Sequence, residues 1–293
     1  MKLPGAGYVG RFAPSPTGPL HIGSLIAAVA SYADARHHSG RWLLRIEDLD
    51  PPREPPGASQ RILHTLVAHG LHWDGEPLLQ SQRQAHYAAN LEYLQRAGLC
   101  YYCDCSRARQ AKHHGIYDGH CRLRHPDANA QVAIRVQVND SPINFDDAIQ
   151  GPQSQCLSHA VGDFVIRRKD GLYAYQLAVV VDDAEQHISH VVRGADLLSS
   201  TARQIYLQRL LGLPTPQYAH FPVAGDSKGH KLSKQNHAEP IDDSQASSNL
   251  RAALRFLRQP DPPTRLLLPE DILQWASSHW QRSAIDHAQL IRW

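Results

Sequence analysis

Arg11-Phe12-Ala13-Pro14-Ser15-Pro16-Thr17-Gly18-Pro19-Leu20-His21-Ile22-Gly23-Ser24 is the stretch that organises this chain. The run leading into it, Tyr8 to Phe12, has the length and apolar character of a short strand. Prolines and Gly18 then interrupt regular structure. From Ile22 the apolar residues return at helical spacing: Ile22, Leu25, Ile26, Val29, Ala30. Strand, rigid turn and helix start together aim backbone N–H groups and the positive end of a helix dipole at an anion. His21 and Gly23 fall in the first helical turn, where a phosphate would lie. Gly23 has no Cβ to keep a phosphate or a flat ring at a distance. A proline-rich loop bearing a surface histidine has the same pattern.

Outward from this stretch, the helix is expected to end near Ser39-Gly40, and Arg41 to Ile46 reads as the next strand. Strand, helix, strand implies a parallel sheet, whose ligands bind outside the carboxyl ends of the strands. Glu47, Asp48 and Asp50 lie just past that end. They suit Mg2+, an ammonium group, or simply a solvated acidic turn. The glycines of Gly5-Ala6-Gly7-Tyr8-Val9-Gly10 match a dinucleotide-binding pattern, but no strand precedes them and no helix opens at the third, as that mechanism requires. Two amphipathic helices follow, about 58–69 and 82–97, each ending at a glycine.

The 293 residues suffice for a sizeable core, and 42% hydrophobic with 20% charged residues is ordinary for a globular protein. No apolar run approaches the ~18 residues of a membrane span. The N-terminus lacks the apolar core of a signal peptide, so the expected location is the cytoplasm. A net charge of +2 argues neither for nor against a nucleic-acid partner.

Residues 99–123 change character. Four of the five cysteines, Cys100, Cys103, Cys105 and Cys121, lie here with His113, His114, His120 and Tyr117. Such clustering in a reducing compartment favours a metal over disulfides. Cys103, Cys105 and Cys121 supply three thiolates for a closed, structural Zn2+ site, with His120 or His113 as the fourth ligand on chemistry alone. Arg107, Arg109, Lys112, Arg122 and Arg124 flank the thiols and suit an RNA loop with unstacked bases. Strands are expected over 131–138 and 161–167. Tyr175 to Asp183 is a buried apolar segment, His187 to Val192 a strand, and Thr201 to Leu211 a helix. Gly225 to Gln235 is a Gly- and Lys-rich loop. Arg251, Arg255 and Arg258 share one helical face, which either tracks phosphates or is solvated, and a last helix is expected near 270–278.

Four segments together resemble the class I aminoacyl-tRNA synthetases. His21-Ile22-Gly23-Ser24 resembles their HIGH signature, with Ser24 in place of the second histidine, and Lys231-Leu232-Ser233-Lys234-Gln235 is similar to their KMSKS signature. Arg11 to Gly18 and Arg45-Ile46-Glu47-Asp48 resemble the glutamyl branch. The resemblance implies an α/β fold: a Rossmann-type parallel sheet split by a zinc-bearing insertion, with a mainly helical C-terminal region. Residues 1–98 and 175–200 would be the two halves, 99–174 the acceptor-domain-like insertion, and 201–293 a stem-contact-like region carrying the lysine loop.

The resemblance also implies roles. His21, Gly23, Lys231 and Lys234 would be catalytic, with His21, Gly23 and Lys234 on ATP, which would bring Mg2+ with it. Arg11, Phe12, Ala13, Pro14, Ser15, Glu47, Tyr175 and Arg193 would bind glutamate, Glu47 on the α-amino group and Arg193 on the side-chain carboxylate. An arginine suits that task because its planar fork donates two parallel hydrogen bonds. Tyr117 would be the fourth zinc ligand. About sixty residues follow Lys234. That narrows the resemblance to short paralogues of glutamyl-tRNA synthetase, which activate L-glutamate with ATP and transfer it to queuosine in the anticodon of tRNA(Asp). The expected state is a cytoplasmic monomer with no membrane partner. A truncated synthetase charging a tRNA 3′ end, a nucleotidyltransferase without a tRNA step, and a non-catalytic zinc-bearing RNA-binding module remain open.

Overall fold

The computed structural model describes residues 7–106, 108–109, 115–124, 126–127, 131–226 and 239–293. Lys231 and Lys234, with Arg107, Lys112, His113 and His114, lie outside the described residues.

The opening stretch folds as β1 (Val9–Phe12), an extended proline turn, and α1 (Ile22–His37). Then come β2 (Arg41–Ile46), α2 (Ala58–Ala68), the two-residue β3 (Leu78–Leu79) and α3 (Gln84–Arg96). β1 pairs parallel with β2, and β2 parallel with β3. The middle of the chain holds β4 (Cys100–Cys103), β5 (Ala133–Val136), the hairpin β6 (Pro142–Asp147) and β7 (Gly151–Cys156), the single turn α4 (Leu157–Ala160), and β8 (Phe164–Arg167). β4, β5 and β8 form an antiparallel sheet of their own.

The buried apolar segment is the helix α5 (Tyr175–Glu185), followed by β9 (His190–Gly194), α6 (Leu198–Leu211), β10 (Gln217–Phe221) and β11 (Val223–Gly225). β9 and β10 are parallel, and β10 runs parallel to β6, so the hairpin at residues 142–156 shares a sheet with strands from the far side of the chain. Ser189 N–H donates to Val9 C=O at 3.0 Å, seating β9 beside β1 on the side away from β2. From β1 the chain crosses to β2 on one flank while β9 lies on the other. The crevice between β1 and β9 is therefore a topological switch point, where open α/β sheets bind their ligands.

The chain closes with α7 (Ala246–Phe256), α8 (Pro269–Ser278) and β12 (Leu290–Arg292), which pairs with β11. Two apolar clusters sandwich the parallel strands. One gathers α1, α7 and α8, the other α3, α5 and α6. α1 is buried on nearly every side, and its alanines 28, 30, 33 and 35 let it lie close to its neighbours. Its buried Asp34 accepts from Tyr8 Oη, Trp280 Nε1 and the Arg282 guanidinium, which ties the last segment to the first strand. The arginine stripe of the tail matches the solvated-face expectation at Arg255 and Arg258, which are exposed, but not at Arg251. Arg251 donates to the carbonyls of Pro262, Pro263 and Leu266, Arg255 pairs with Asp261, and Arg258 lies past the helix end.

Candidate active site

A cavity of about 660 Å3 opens at the carboxyl ends of β1, β2, β9 and β10. Arg11, Phe12, Ala13, Pro14, Ser15, His21, Gly23, Glu47, Tyr175 and Arg193 all line it, so residues expected from distant parts of the chain meet there. The parallel strands deliver them: β1 ends at the Pro14 turn, β2 runs straight into Glu47, and β9 presents Arg193. Glu47 N–H donates to Pro14 C=O at 3.0 Å, which locks the two strand ends together.

His21 is the N-cap of α1, and its Nδ1 accepts from Gly23 N–H at 3.1 Å. The expected phosphate donor at Gly23 is therefore engaged by the imidazole at its side. Ser24, standing where the signature has a second histidine, also lines the cavity.

Charge in the cavity is arranged unevenly. Arg11 Nε and Arg45 Nη2 both donate to Asp183 Oδ1, at 3.2 and 2.7 Å. Burial alone would raise the Asp183 carboxyl, but the two guanidinium groups hold it below the usual range. Glu47 has weaker help from the same two groups. Its Oε1 is buried, accepts no hydrogen bond, and stands 3.6 Å from Arg45. Burial, only partly offset by Arg45 and Arg11, pushes its pKa up to about 7. Of the three carboxylates past β2, only Glu47 faces the cavity: Asp48 accepts from Ser81, and Asp50 pairs with Arg53 and Arg168. Arg193, 5% exposed, donates to the Tyr175 hydroxyl, Thr201 Oγ1, Leu197 C=O and His220 Nε2. All four partners are uncharged.

The second expected site lies at the end of β4. Sγ atoms of Cys103, Cys105 and Cys121 lie within 4.8 Å of one another, all buried. The Tyr117 hydroxyl is 3.3 Å from Cys103 Sγ and 3.5 Å from Cys105 Sγ. Four donors thus converge at spacings that suit a tetrahedral ion. His120 is exposed, and its Nε2 accepts from Arg124. Arg135 Nε donates to Cys103 Sγ at 3.2 Å and its guanidinium lies over the Tyr117 ring at 3.8 Å, setting a cation beside the sulfurs. Gly162, at φ +69°, is bridged to Tyr117; a Cβ there would fall 2.0 Å from the Tyr117 carbonyl oxygen. Arg109, Arg122 and Arg124 flank the cluster as expected, but each is paired, with Asp118, Asp163 and Asp104 respectively. A further cavity of about 530 Å3 at the cluster is lined by Cys103 and Cys105 together with Arg135, Arg168, Lys169 and Asp170, the last paired with Arg168.

Sequence reasoning missed Asp183, Thr201, His220 and Asp147. A faint signal existed for two of them. Asp183 ends the apolar run from Leu177, and His220 sits in a strand of buried residues, places where a polar group needs a partner.

A crevice at the β1–β9 switch point, entered by a helix N-terminus, is the architecture of a class I synthetase catalytic domain, and the family described as tRNA synthetases class I (E and Q), catalytic domain, matches residues 8–258. The Glutamyl-Q tRNA(Asp) synthetase of Ectopseudomonas mendocina is 53% identical over 287 residues, covering 97% of each chain. The protein of the same name from Neisseria meningitidis serogroup B is 52% identical over 289 residues, covering 95% of this chain and 97% of that one. The solved glutamate tRNA ligase of Elizabethkingia meningosepticum matches in fold, with a TM-score of 0.80 over 98% of this chain and 67% of its own, at 24% identity. The chain belongs to the class I synthetases of the E and Q branch, in the family of the glutamyl-Q tRNA(Asp) synthetases. Among the described residues, no helix is long and apolar enough to cross a membrane.

Proposed function

We propose that this chain activates L-glutamate with ATP and transfers the glutamyl group to queuosine in the anticodon of tRNA(Asp), acting as a cytoplasmic monomer. One observation carries the first half. The cavity holds a buried carboxylate without a hydrogen-bond partner at Oε1, Glu47, and a buried guanidinium whose partners among the described residues are neutral, Arg193. Those opposite charges complement an amino acid that offers an ammonium group and a side-chain carboxylate. The names of the relatives support the second half.

Glutamate's α-carboxylate is ionised at pH 7 and attacks the α-phosphorus of ATP without a general base. The bond to pyrophosphate breaks, and a queuosine hydroxyl then attacks the glutamyl carbonyl and releases AMP. Catalysis is positioning and charge stabilisation. Arg11, Phe12, Ala13, Pro14, Ser15, Glu47, Tyr175 and Arg193 hold glutamate. His21 and Gly23 would meet the ATP phosphates, and Lys231 and Lys234 the departing pyrophosphate, whose charge a bound Mg2+ would share. Cys103, Cys105, Tyr117 and Cys121 would hold a structural Zn2+ at the end of β4, and the cavity there, with Arg135, Arg168 and Lys169 in its lining, would receive RNA phosphates.

The test has two stages. The purified chain should catalyse glutamate-dependent ATP–pyrophosphate exchange without tRNA; exchange with another amino acid, or none, defeats the proposal. Labelled glutamate should then enter tRNA(Asp) that carries queuosine, and still do so after its 3′-terminal adenosine is removed. If labelling vanishes with that adenosine, the chain charges the acceptor end instead.

A further inference from the structure

Behind Arg193 the sheet carries two residues that do not line the cavity. Asp147, His220 and Arg193 step across the adjacent strands β6, β10 and β9, with His220 directly opposite Arg193 in the register. Asp147 Oδ1 accepts backbone N–H bonds from His220 at 3.0 Å, Ile149 at 3.1 Å and Gln150 at 2.9 Å. Its Oδ2 lies 2.5 Å from His220 Nδ1. An ionised carboxylate only accepts, so the shared proton sits on Nδ1 and Nε2 keeps its lone pair. That lone pair accepts from Arg193 Nε at 2.9 Å. Burial, with Arg193 adding to it against the bond to Asp147, pushes the His220 pKa down to about 4, so the ring is neutral at pH 7.

The charge pattern matters more than the bonds themselves. Asp183 sits directly on Arg11 and Arg45 and cancels much of their charge. At Arg193 the carboxylate stands one imidazole further back, and a neutral acceptor does the holding. The guanidinium is fixed in place yet keeps its charge for a ligand.

We propose that Asp147 and His220 are positioning residues that hold Arg193 through a neutral acceptor, and so set the preference for an anionic over an amide amino-acid side chain. This rests on the reading that Arg193 meets the substrate's side-chain carboxylate.

Asp147→Asn tests it with almost no change of shape. The amide oxygen can still accept the three backbone N–H bonds. The amide nitrogen donates to Nδ1 and drives the imidazole proton to Nε2, where it opposes the Arg193 N–H. In pyrophosphate exchange by the full chain, the KM for glutamate should rise about tenfold or more, the scale of a lost hydrogen bond to a charged group. The KM for ATP should hold, and the ratio of kcat/KM for glutamate over glutamine should fall. Nitrogen NMR should find the His220 proton on Nδ1 in the parent and on Nε2 in the variant. As a second pair, His220→Gln, whose amide oxygen can accept from Arg193, should stay closer to the parent than His220→Leu. An inverted tautomer with unchanged glutamate KM and selectivity overturns the proposal, and so does a parallel rise in both KM values, the mark of a merely structural role. Arg193→Ala separates the two levels: if it leaves the glutamate KM unchanged, the underlying reading of the cavity has failed instead.

Discussion

Glu47 and Arg45 stand 3.6 Å apart with no hydrogen bond between them, while Asp183 holds that guanidinium at 2.7 Å. The cavity thereby keeps a carboxylate whose best neighbouring cation is engaged elsewhere. An ammonium group arriving beside Glu47 would supply the missing partner.

The first consequence is a pH dependence. Glu47 titrates at about 7 in the folded chain, above the ordinary carboxylate value. Below that pH it is protonated, so the KM for glutamate should climb as pH falls from about 8 to about 6. A flat KM profile over that range would contradict the assignment. For stability the sign is opposite. A carboxyl with a raised folded pKa contributes stability that is full below its unfolded pKa and lost as pH rises through 7. Glu47→Gln should therefore melt higher than the parent at about pH 8, by a difference of about 1–3 kcal/mol, while losing glutamate exchange.

Asp183→Asn should be costly for the converse reason. Arg11 and Arg45, 4% and 0% exposed, would lose their shared counter-charge inside the protein. Removing one partner of such a buried group costs about 3–5 kcal/mol, read as a shift of the urea midpoint. A loss below about 1 kcal/mol, the scale of an exposed pair, would show that the site is wetter than its burial indicates. Because the Asp183 pKa is held down, its contribution is present at neutral pH and disappears only as pH falls through the lowered value.

The thiol cluster should carry one Zn2+ per chain, measurable by metal analysis of protein purified without added zinc. Tyr117→Phe removes the hydroxyl that faces two sulfurs and should weaken zinc binding at least about tenfold, a loss that even an outer partner of a ligand can cause. His120→Ala should retain the metal, since that imidazole is engaged with Arg124. The reverse outcome would replace Tyr117 by His120 as the fourth ligand.

Gly162→Ala should damage the same cluster from outside it. The residue holds φ +69°, and a Cβ would meet the Tyr117 carbonyl oxygen at 2.0 Å. The backbone conformation alone costs on the order of 1–3 kcal/mol for a residue with a Cβ, and the clash adds to it by displacing Tyr117. Lower melting together with lower zinc content is expected. A variant with normal zinc content would show that Tyr117 is not held by this bridge.

Much of the framework was legible because it is local. The strand, proline turn and helix of residues 9–37 follow from apolar spacing and from residues that stop regular structure, and the structure finds β1 and α1 there. The spacing of Cys103, Cys105 and Cys121 predicted a shared site, and their sulfurs do converge. The hairpin at 142–156 escaped notice because β6 alternates only through Ile143 and Phe145 and β7 has no large apolar residue, and its partner β10 shows where it belongs. In the tail, the solvated face holds for Arg255 and Arg258, but helical spacing says which residues share a face, not what each one meets. Arg251 meets the carbonyls of a proline-rich turn.

By itself, then, the sequence determined which residue types stand at the strand ends and how each short segment folds, since both depend on neighbours a few positions away. Tertiary structure alone decided how charge is shared among them. Asp183 reaches Arg11 across 172 positions and Asp147 reaches His220 across 73, and nothing local marks either pairing. Which arginine is neutralised and which is kept for a ligand depends on distances of about 3 Å inside a low-dielectric interior, where a buried charge is stable only with its partner in place.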